Sequence, residues 1–231
     1  MYACQQWLDI SANNLANLST TAFKKESLDF QESMMRTLRA DGGKGPVIGQ
    51  FQSGPEVMDT YTDFTTGSSL ATGNPLDLMI ENRGEMFAVQ TPQGVQYTRA
   101  GSFGVNADGH LVTDKSYAVL DKDLTPITVK GTKFRVSDTG EIFGDEQTMG
   151  QIGIFSGDFR KLGEGLYRAE GKPTEEDNPR IHSGCLEGSN VNPVENMIEM
   201  VQIQRLYEMA QRSVQQHDEA SAKLVQSVQG G

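Results

Sequence analysis

The spacing of hydrophobic and polar residues changes three times along the chain, which divides it into four segments. In segment 1–30 the main apolar positions fall on one face of a helix at 100° per residue, with Ile10 at its edge. The members of that face are Trp7, Leu8, Leu15 and Leu18. Segment 31–72 has no sustained period and contains many Gly, Ser and Thr residues. We therefore predict an N-terminal helix followed by an extended linker or arm.

Segment 73–184 consists of short apolar runs that are separated by turn motifs. The runs "MFAVQ" (86–90) and "VQYTR" (95–99) flank "TPQG" (91–94). A second turn, "NADG" (106–109), contains the Asp-Gly pair that is typical of tight hairpins. Many short strands at this spacing predict an antiparallel, all-β domain.

Segment 185–231 returns to a helical period. Asn192 is a good N-cap, Pro193 suits the first helical position, and Glu195 stands where a capping-box acid belongs. No Gly or Pro follows until Gly230, so we expect a helix about 50 Å long. The predicted fold class is α+β, with a central antiparallel all-β domain flanked by N- and C-terminal helices.

The C-terminal helix has two apolar stripes on roughly opposite faces. The first stripe comprises Val194, Met197, Ile198 and Val201. The second comprises Ile203, Leu206, Ala210, Val214, Leu224 and Val228. A helix that docks on one globular body normally shows a single stripe. Two stripes favour contacts with further copies of the chain or its relatives. The alternative is that one stripe packs on the β domain of the same chain.

Composition narrows the possible functions. The 231 residues carry a net charge of −11, and no dense run of Lys or Arg occurs, which disfavours binding to nucleic acid or to an anionic membrane. No apolar run approaches the roughly 20 residues of a membrane span, and the N-terminus lacks the features of a signal peptide. These signals alone indicate a cytoplasmic protein.

The sequence offers no catalytic, cofactor-binding or metal-binding motif. Cys4 and Cys185 have no CxxC or His-rich context, so neither a required disulfide nor a metal site is expected. Nucleophile-elbow and P-loop patterns are missing. An acidic pair such as Asp108 with Glu141 is expected by chance among 31 acidic residues. A carbohydrate- or peptide-binding β module stays open, although the only tryptophan, Trp7, lies on the predicted helix.

Three stretches, in this order, resemble the bacterial flagellar basal-body rod and hook protein family. They are "ANNLANLSTTAFK" (12–24), "TGNPLDLMIENRGEMFAVQTPQGVQYTRAGSFGVNADGHLVT" (72–113) and "LEGSNVNPVENMIEMVQIQRLYEM" (186–209). The resemblance covers both termini and the core. Within the family, "SGCLEGSNVNPVENM" (183–197) is most similar to proximal rod proteins, and distal rod proteins are the near alternative.

The resemblance implies a structural subunit of the flagellar rod and no enzyme activity. Such a subunit is exported through the flagellar type III apparatus without a cleaved signal, so the expected location changes from the cytoplasm to the periplasmic rod of the basal body. Its terminal helices are expected to pair in a coiled-coil-like inner layer, with the β domain outside, and to bind copies of itself and related rod proteins. The rod would act as a drive shaft that transmits torque. A distal rod or hook-type subunit is the alternative within the superfamily.

The resemblance directs attention to the terminal helices as the assembly interface. The predicted interface residues are Trp7, Asn13, Asn14, Leu15, Asn17, Leu18, Val194, Met197, Ile198, Val201, Ile203, Leu206, Tyr207, Ala210 and Val214. Because Asn is a mediocre helix former and a buried amide needs a partner, we expect the three asparagines to fix helix register between subunits. Solvent-facing amides near a helix end are the alternative. We expect Ile203 to be solvated in the free chain.

The chain departs from the family pattern at three places. Ala22 stands where the family usually has glycine, and the Glu85–Met86 pair replaces apolar or aromatic residues. The stretch before Asp9 is shorter than is typical, from which we expect that N-terminal helical turns are missing.

Overall fold

The computed structural model is mostly β with a helix near each end, which confirms the predicted α+β class. It describes residues 2–31, 36–39, 47–51, 56–131, 134–144, 147–176 and 179–229. The stretch "DGGKGP" (41–46) of the predicted linker or arm and the side chains of Leu224 and Val228 lie outside the described residues.

The chain forms two compact units. The first, which we call the helical unit, is drawn from Met1–Ala16, Glu26–Tyr61 and Asn192–Gly231. The second, the β unit, is drawn from Asn17–Lys25 and Thr62–Val191. The β unit therefore extends beyond the predicted central segment in both directions.

Among the described residues, the helical unit contains two helices and four strands. They are α1 (Tyr2–Ala16), β1 (Glu26–Gln31), β2 (Arg36–Arg39), β3 (Val47–Phe51), β4 (Glu56–Thr62) and α2 (Pro193–Gln229). Strand β1 pairs with β4, and β2 pairs antiparallel with β3. The segment that we predicted to be a linker or arm thus includes paired strands.

The β unit contains sixteen strands within the part of the chain that the structure describes. They are β5 (Ser69–Ala71), β6 (Leu78–Ile80), β7 (Glu85–Thr91), β8 (Gly94–Thr98), β9 (Phe103–Val105), β10 (Leu111–Thr113), β11 (Ala118–Val119), β12 (Phe134–Val136), β13 (Glu141–Gly144), β14 (Gln147–Gln151), β15 (Ile154–Ser156), β16 (Phe159–Gly163), β17 (Leu166–Ala169), β18 (Thr174–Glu175), β19 (Ile181–Ser183) and β20 (Cys185–Glu187). The main sheet has the order β16-β17-β8-β7-β11-β10-β9, and β15 joins β7 to β18. Smaller sheets are β12-β13-β14, β19-β6 and β20-β5.

Strand β7 is the centre of the main sheet. One of its edges pairs with β8, and the other pairs first with β15 and then with β11. Because successive strand residues point to opposite faces, Met86 and Ala88 enter one apolar cluster while Phe87 and Val89 enter another. A strand that is buried on both faces explains why the run "MFAVQ" is almost continuously apolar.

The predicted turns have the expected geometry. Thr91 pairs with Gly94 across a two-residue loop, and Gly94 has a φ of 111°. In "NADG", the side-chain oxygen of Asn106 accepts hydrogen bonds from the backbone N–H groups of Asp108 and His110, and Gly109 has a φ of 81°. Glycine adopts these left-handed conformations without a steric penalty, so the local sequence determines both hairpins.

Helix α2 begins as the sequence predicts. The Asn192 side-chain oxygen accepts hydrogen bonds from the N–H groups of Val194 and Glu195 at 3.1 and 3.4 Å. Pro193 occupies the first helical position, where no N–H donor is needed. The helix has 37 residues, which corresponds to a length of about 55 Å.

Ala22 adopts a conformation that favours glycine. Its φ is 54°, and it is only 4% exposed. A left-handed conformation costs an L-residue with a Cβ roughly 1–2 kcal/mol. Its N–H donates to the carbonyl of Glu187 at 2.8 Å, so the conformation has a structural role. This explains why the family usually has glycine at this position.

A buried charge cluster joins distant parts of the β unit at the Glu187 carboxylate. Lys24 Nζ donates to Glu187 Oε1 at 2.6 Å, and Arg99 Nε donates to Glu187 Oε2 at 2.7 Å. The Gly67 N–H donates to Oε1 at 2.9 Å. A Cβ on Gly67 would lie 2.0 Å from the Gly188 carbonyl oxygen, so only glycine fits there. We call Lys24, Arg99 and Glu187 the Glu187 cluster.

The cations of the cluster also contact backbone carbonyls. Arg99 donates to the carbonyl oxygens of Ile80, Asn82 and Glu85. Burial opposes ionisation of Glu187, but the charges of Arg99 and Lys24 outweigh this effect and hold its pKa below the usual range. Burial lowers the pKa of Lys24, and the Glu187 charge opposes that shift.

Asn190, three residues after Glu187, forms a second junction between segments of the β unit. Its Oδ1 accepts from the Lys25 N–H at 2.7 Å. Its Nδ2 donates to the carbonyl oxygens of Asp63 and Thr65 at 2.8 and 3.2 Å. Three segments of the β unit therefore meet here: the one that follows α1, the one that follows β4 and the one that precedes α2.

Glu85 is a second buried carboxyl group in the β unit. It is 4% exposed, and its Oε1 accepts from Asn82 Nδ2 at 2.8 Å. No donor among the described residues lies within hydrogen-bond distance of Oε2. Burial raises the pKa of Glu85, and the nearby charge of Glu176 adds to the increase.

The Glu187→Gln substitution should lower the free energy of unfolding by about 3 kcal/mol, because it leaves two buried cations without their shared anion. Chemical denaturation followed by β-sheet circular dichroism measures the change. Glu164→Gln is the matched control, because Glu164 forms an exposed pair with Lys115. The control should melt as the parent does, and equal effects of the two substitutions would show that the cluster has no special role.

The Glu85→Gln substitution should change the pH dependence of stability. Because the folded-state pKa of Glu85 is raised, the parent loses stability relative to the variant as pH rises through that pKa. The advantage of the variant should therefore be larger at pH 8 than at pH 4, as measured by denaturation midpoints. Glu164→Gln should show the opposite trend or none, since Lys115 lowers the pKa of Glu164.

Candidate assembly surface

The two helices of the helical unit lie side by side and run antiparallel. Trp7 Nε1 donates to Glu199 Oε1 at 2.8 Å. Asn196 Nδ2 donates to the backbone carbonyl of Ser11 at 2.8 Å. Residue numbers fall along α1 as they rise along α2, which defines the antiparallel direction. Both contacts bridge more than 180 residues of sequence.

The face of α2 that lies towards α1 is partly polar. Its residues recur at spacings of three and four: Asn196, Glu199, Met200, Ile203, Tyr207 and Ala210. Asn196 is 0% exposed and Ile203 is 1% exposed, while the others are half-buried. On α1, Ser11 is buried, and Trp7 is half-buried. This face holds the helix pair together.

The expectation that Ile203 is solvated in the free chain is wrong. Ile203 shares a helical face with Asn196 and Glu199, both of which contact α1, and it is buried within its own chain. Because the stripes are defined by apolar positions alone, the pattern does not show that the second stripe begins opposite α1. Ala210 and Tyr207 follow on the same face and are half-buried.

The first stripe forms an exposed apolar surface on the opposite side of α2 from α1. We call it the outer face. Its members and their exposed fractions are Val194 at 65%, Met197 at 52%, Ile198 at 55% and Val201 at 47%. Four adjacent apolar side chains that face solvent are typical of an interaction surface. The prediction that these residues take part in assembly stays a prediction.

Two members of the second stripe are also exposed. Leu206 is 44% exposed and Val214 is 49% exposed. Leu206 lies at the border of the α1-facing side, about 60–80° from Ile203 and Asn196 at 100° per residue. Every residue from Gln211 to Ala220 is exposed. The apolar residues of α2 therefore divide between an inner face at its beginning and exposed positions elsewhere.

The asparagines of segment 1–30 do not act as a single group. Asn14 is buried, its Nδ2 donates to the Glu26 carbonyl at 2.7 Å, and its Oδ1 accepts from the Glu26 N–H at 3.0 Å. Its amide is therefore used inside its own chain to dock the start of β1. The expectation that Asn14 fixes register between subunits stays a prediction, and the contact with Glu26 gives this amide a role within its own chain.

Asn13 and Asn17 have different surroundings from Asn14. Asn13 lies on the exposed face of α1. Asn17 follows the end of α1 and forms a turn, in which its carbonyl accepts from the Thr20 N–H at 3.1 Å and its Oδ1 accepts from the Thr20 hydroxyl at 3.2 Å. Because α1 ends at Ala16, these two amides are not successive turns of one helix. Leu15 and Leu18 are half-buried.

The residues of the helix contact that the apolar pattern does not reveal are polar. Ser11, Asn196 and Glu199 make or accept the hydrogen bonds that join α1 to α2. On α2 the sequence does contain a sign of this face. Residues 196, 199, 203 and 210 are separated by three, four and seven residues, which is the spacing of a heptad pattern. An apolar-only count cannot detect such a face.

Other kinds of site have little support. Among the described residues, no group of three or more His, Cys, Asp or Glu could hold a metal ion. A pocket of about 190 Å³ in the β unit is lined by five Thr and Ser side chains, by the Lys115–Glu164 pair and by smaller apolar groups, with Tyr117 as its single aromatic residue. A carbohydrate-binding groove would need exposed aromatics. Cys4 and Cys185 are free thiols.

Among the described residues, no helix combines the length and the apolar content that crossing a bilayer requires.

Two family models match separate parts of the chain. The model for the flagellar hook protein FlgE/F/G D1 domain matches residues 79–144, which lie in the β unit. The model for the flagellar basal body rod FlgEFG protein C-terminal region matches residues 182–227, which include most of α2.

Curated relatives match nearly the whole chain. The flagellar basal-body rod protein FlgF of Caulobacter vibrioides is 35% identical, over 95% of this chain and 90% of the relative. The flagellar basal-body rod protein FlgG of Bacillus subtilis is 31% identical, over 96% and 93%. The FlgG protein of Buchnera aphidicola subsp. Schizaphis graminum is 30% identical, over 95% and 93%.

Replacing Ile203 by Ala should weaken the helical unit by about 2–4 kcal/mol, because it removes a fully buried side chain from the α1-facing side of α2. Trp7 is the only tryptophan and contacts Glu199, so its fluorescence reports directly on this helix pair during denaturation. The matched control is Leu206→Ala, which should move the midpoint far less because Leu206 is 44% exposed. A larger effect at Leu206 would contradict the assigned faces.

Proposed function

The chain belongs to the flagellar basal-body rod protein family and is a structural subunit of the rod, and we propose that it polymerises through its terminal helices. The observation that carries this proposal is the outer face of α2. Burial of apolar area drives most protein association, and this face is the apolar surface of α2 that α1 leaves uncovered at the start of the helix. A helix that is apolar on two sides can bind α1 and a neighbouring subunit at the same time.

We further propose that the partners are other copies of this chain and related rod proteins. The rod then acts as the drive shaft that crosses the periplasm and transmits torque. The chain reaches it through the flagellar type III export apparatus without a cleaved signal. The coiled-coil-like pairing of terminal helices in an inner layer belongs to the same proposal. The similarity of residues 183–197 to proximal rod proteins remains a prediction, because the relatives carry both FlgF and FlgG names.

The junctions of the β unit support a mechanical function. Lys24 lies in the segment that follows α1, and Glu187 lies five residues before the Asn192 cap of α2. Their ion pair is buried and is reinforced by Arg99. A load on either helix would therefore reach the β unit through the chain segment next to that helix, and the Lys24–Glu187 ion pair connects these two segments. Buried, fully hydrogen-bonded ion pairs are more rigid than exposed pairs, which suits the transmission of torque.

The Ile198→Asp substitution tests whether the outer face is an assembly surface. Ile198 is 55% exposed, so the free energy of unfolding of the free chain should change by no more than about 0.5 kcal/mol. In an assembled rod, a desolvated carboxylate without a partner is strongly unfavourable. Swimming of a null strain that expresses the variant should therefore be lost, and electron microscopy should show incomplete rods.

Gln211→Asp is the matched control, because it adds the same charge to an exposed position about 90° from the centre of the outer face and about three turns beyond its last residue. It should preserve swimming. Normal swimming of the Ile198→Asp strain would refute the assigned surface, and a large loss of stability in the free variant would show that Ile198 packs within its own chain.

A further inference from the structure

The centre of the α1–α2 contact is a buried amide. Asn196 is 0% exposed, and its Nδ2 donates to the Ser11 carbonyl at 2.8 Å. Among the described residues, no donor lies within hydrogen-bond distance of Asn196 Oδ1. A buried polar atom without a partner costs roughly 1–3 kcal/mol. Position 196 therefore carries an energetic penalty that an apolar residue would avoid.

The shape of α1 makes the Ser11 contact specific to one alignment of the helices. Ser11 is small and 1% exposed, so α2 approaches the α1 backbone closely there. One turn away on the same side of α1 stand Trp7 and Leu15, whose side chains are much larger than that of Ser11. A shift of α2 by one turn in either direction would place the Asn196 amide against these side chains. Both Asn196 polar atoms would then lack partners.

We propose that Asn196 sets the register of α1 against α2, and that the hydrogen bond from Trp7 to Glu199 reinforces the same register. Residues 196 and 199 are three apart on α2, and residues 11 and 7 are four apart on α1, so both bonds form together only in one antiparallel alignment. Asn196 is thus a register-determining residue that lowers the stability of the helix pair while making its alignment unique. The proposal concerns one chain and does not depend on assembly.

The register has a consequence for the surface of the molecule. It determines which part of α2 lies beside α1 and which part continues without it. In the two hydrogen bonds between the helices, the numbers of the bonded residues add up to 206 or 207. Ile203 therefore lies opposite the beginning of α1. A slip of one turn would shift the end of the covered part and expose or cover different residues around Tyr207 and Ala210.

Disulfide trapping in the full chain measures this register. In a Cys185→Ser background, Cys4 is the remaining native thiol, and it lies opposite residue 203 in the observed register. Single introduced cysteines at Ile203, Met200 and Tyr207 report the observed register and slips of about one turn in each direction. Oxidised glutathione is the oxidant, and mass spectrometry of the monomer measures the initial rate of intrachain cross-linking.

With Asn196 present, we expect the Ile203→Cys chain to cross-link about fivefold or more faster than the other two, which corresponds to a slip cost of at least 1 kcal/mol. With Asn196→Leu, the three rates should converge while helix content is kept. Gln204→Leu is the matched control on an exposed position of the same helix, and it should preserve the preference.

Two results would overturn the proposal: equal rates in the parent chain, or an unchanged preference in the Asn196→Leu chain. If the Leu variant loses helix content by circular dichroism, Asn196→Ala decides the question, because Ala removes the amide without adding volume. An unchanged preference in the Ala variant likewise rejects the role of Asn196.

Discussion

The Glu187 carboxylate is the interaction on which the rest of the β unit depends. It accepts hydrogen bonds from Lys24, Gly67 and Arg99, which are between 88 and 163 residues away in sequence. Breaking a buried ion pair by removing one partner costs more than the pair contributes over an apolar replacement. The cluster therefore contributes mainly to specificity, because any chain arrangement that separates these segments leaves unpaired buried charges. The segments that lead to both helices are held in this way.

The helical unit has the opposite character, because α2 is much longer than its partner. Helix α1 has 15 residues and α2 has 37, so α1 covers about 22 Å of a helix of about 55 Å. Tertiary packing normally supplies most of the stability of a helix. The side chains from Gln211 to Ala220 are exposed, and so is the outer face near the beginning of α2. A helix with so much uncovered length is suited to contacts with other molecules, which agrees with membership of a family of structural rod proteins.

Local features were predictable from the sequence, and long-range ones were not. The Asn192 cap and the "TPQG" and "NADG" turns depend on neighbours within four residues, and the structure confirms them. Ile203 was assigned to the wrong surroundings because polar residues complete the inner face of α2. The Glu187 cluster left no local signal, since each of its ionic residues resembles a solvated surface charge when it is considered alone. The strain at Ala22 was visible only as a departure from a family pattern.

Asparagine side chains join segments within this chain, at one position of segment 1–30 and at two positions outside it. Asn14 docks the start of β1, Asn190 joins three segments of the β unit, and Asn196 lies between the helices. In each case the amide contacts backbone groups of a segment distant in sequence or across a turn. Backbone groups are present at every residue, so such contacts give specificity only where the surrounding side chains leave one group accessible. Small residues such as Ser11 provide that access. The alignment of each terminal segment is therefore determined by the combination of an amide on one side and a small residue or a turn on the other.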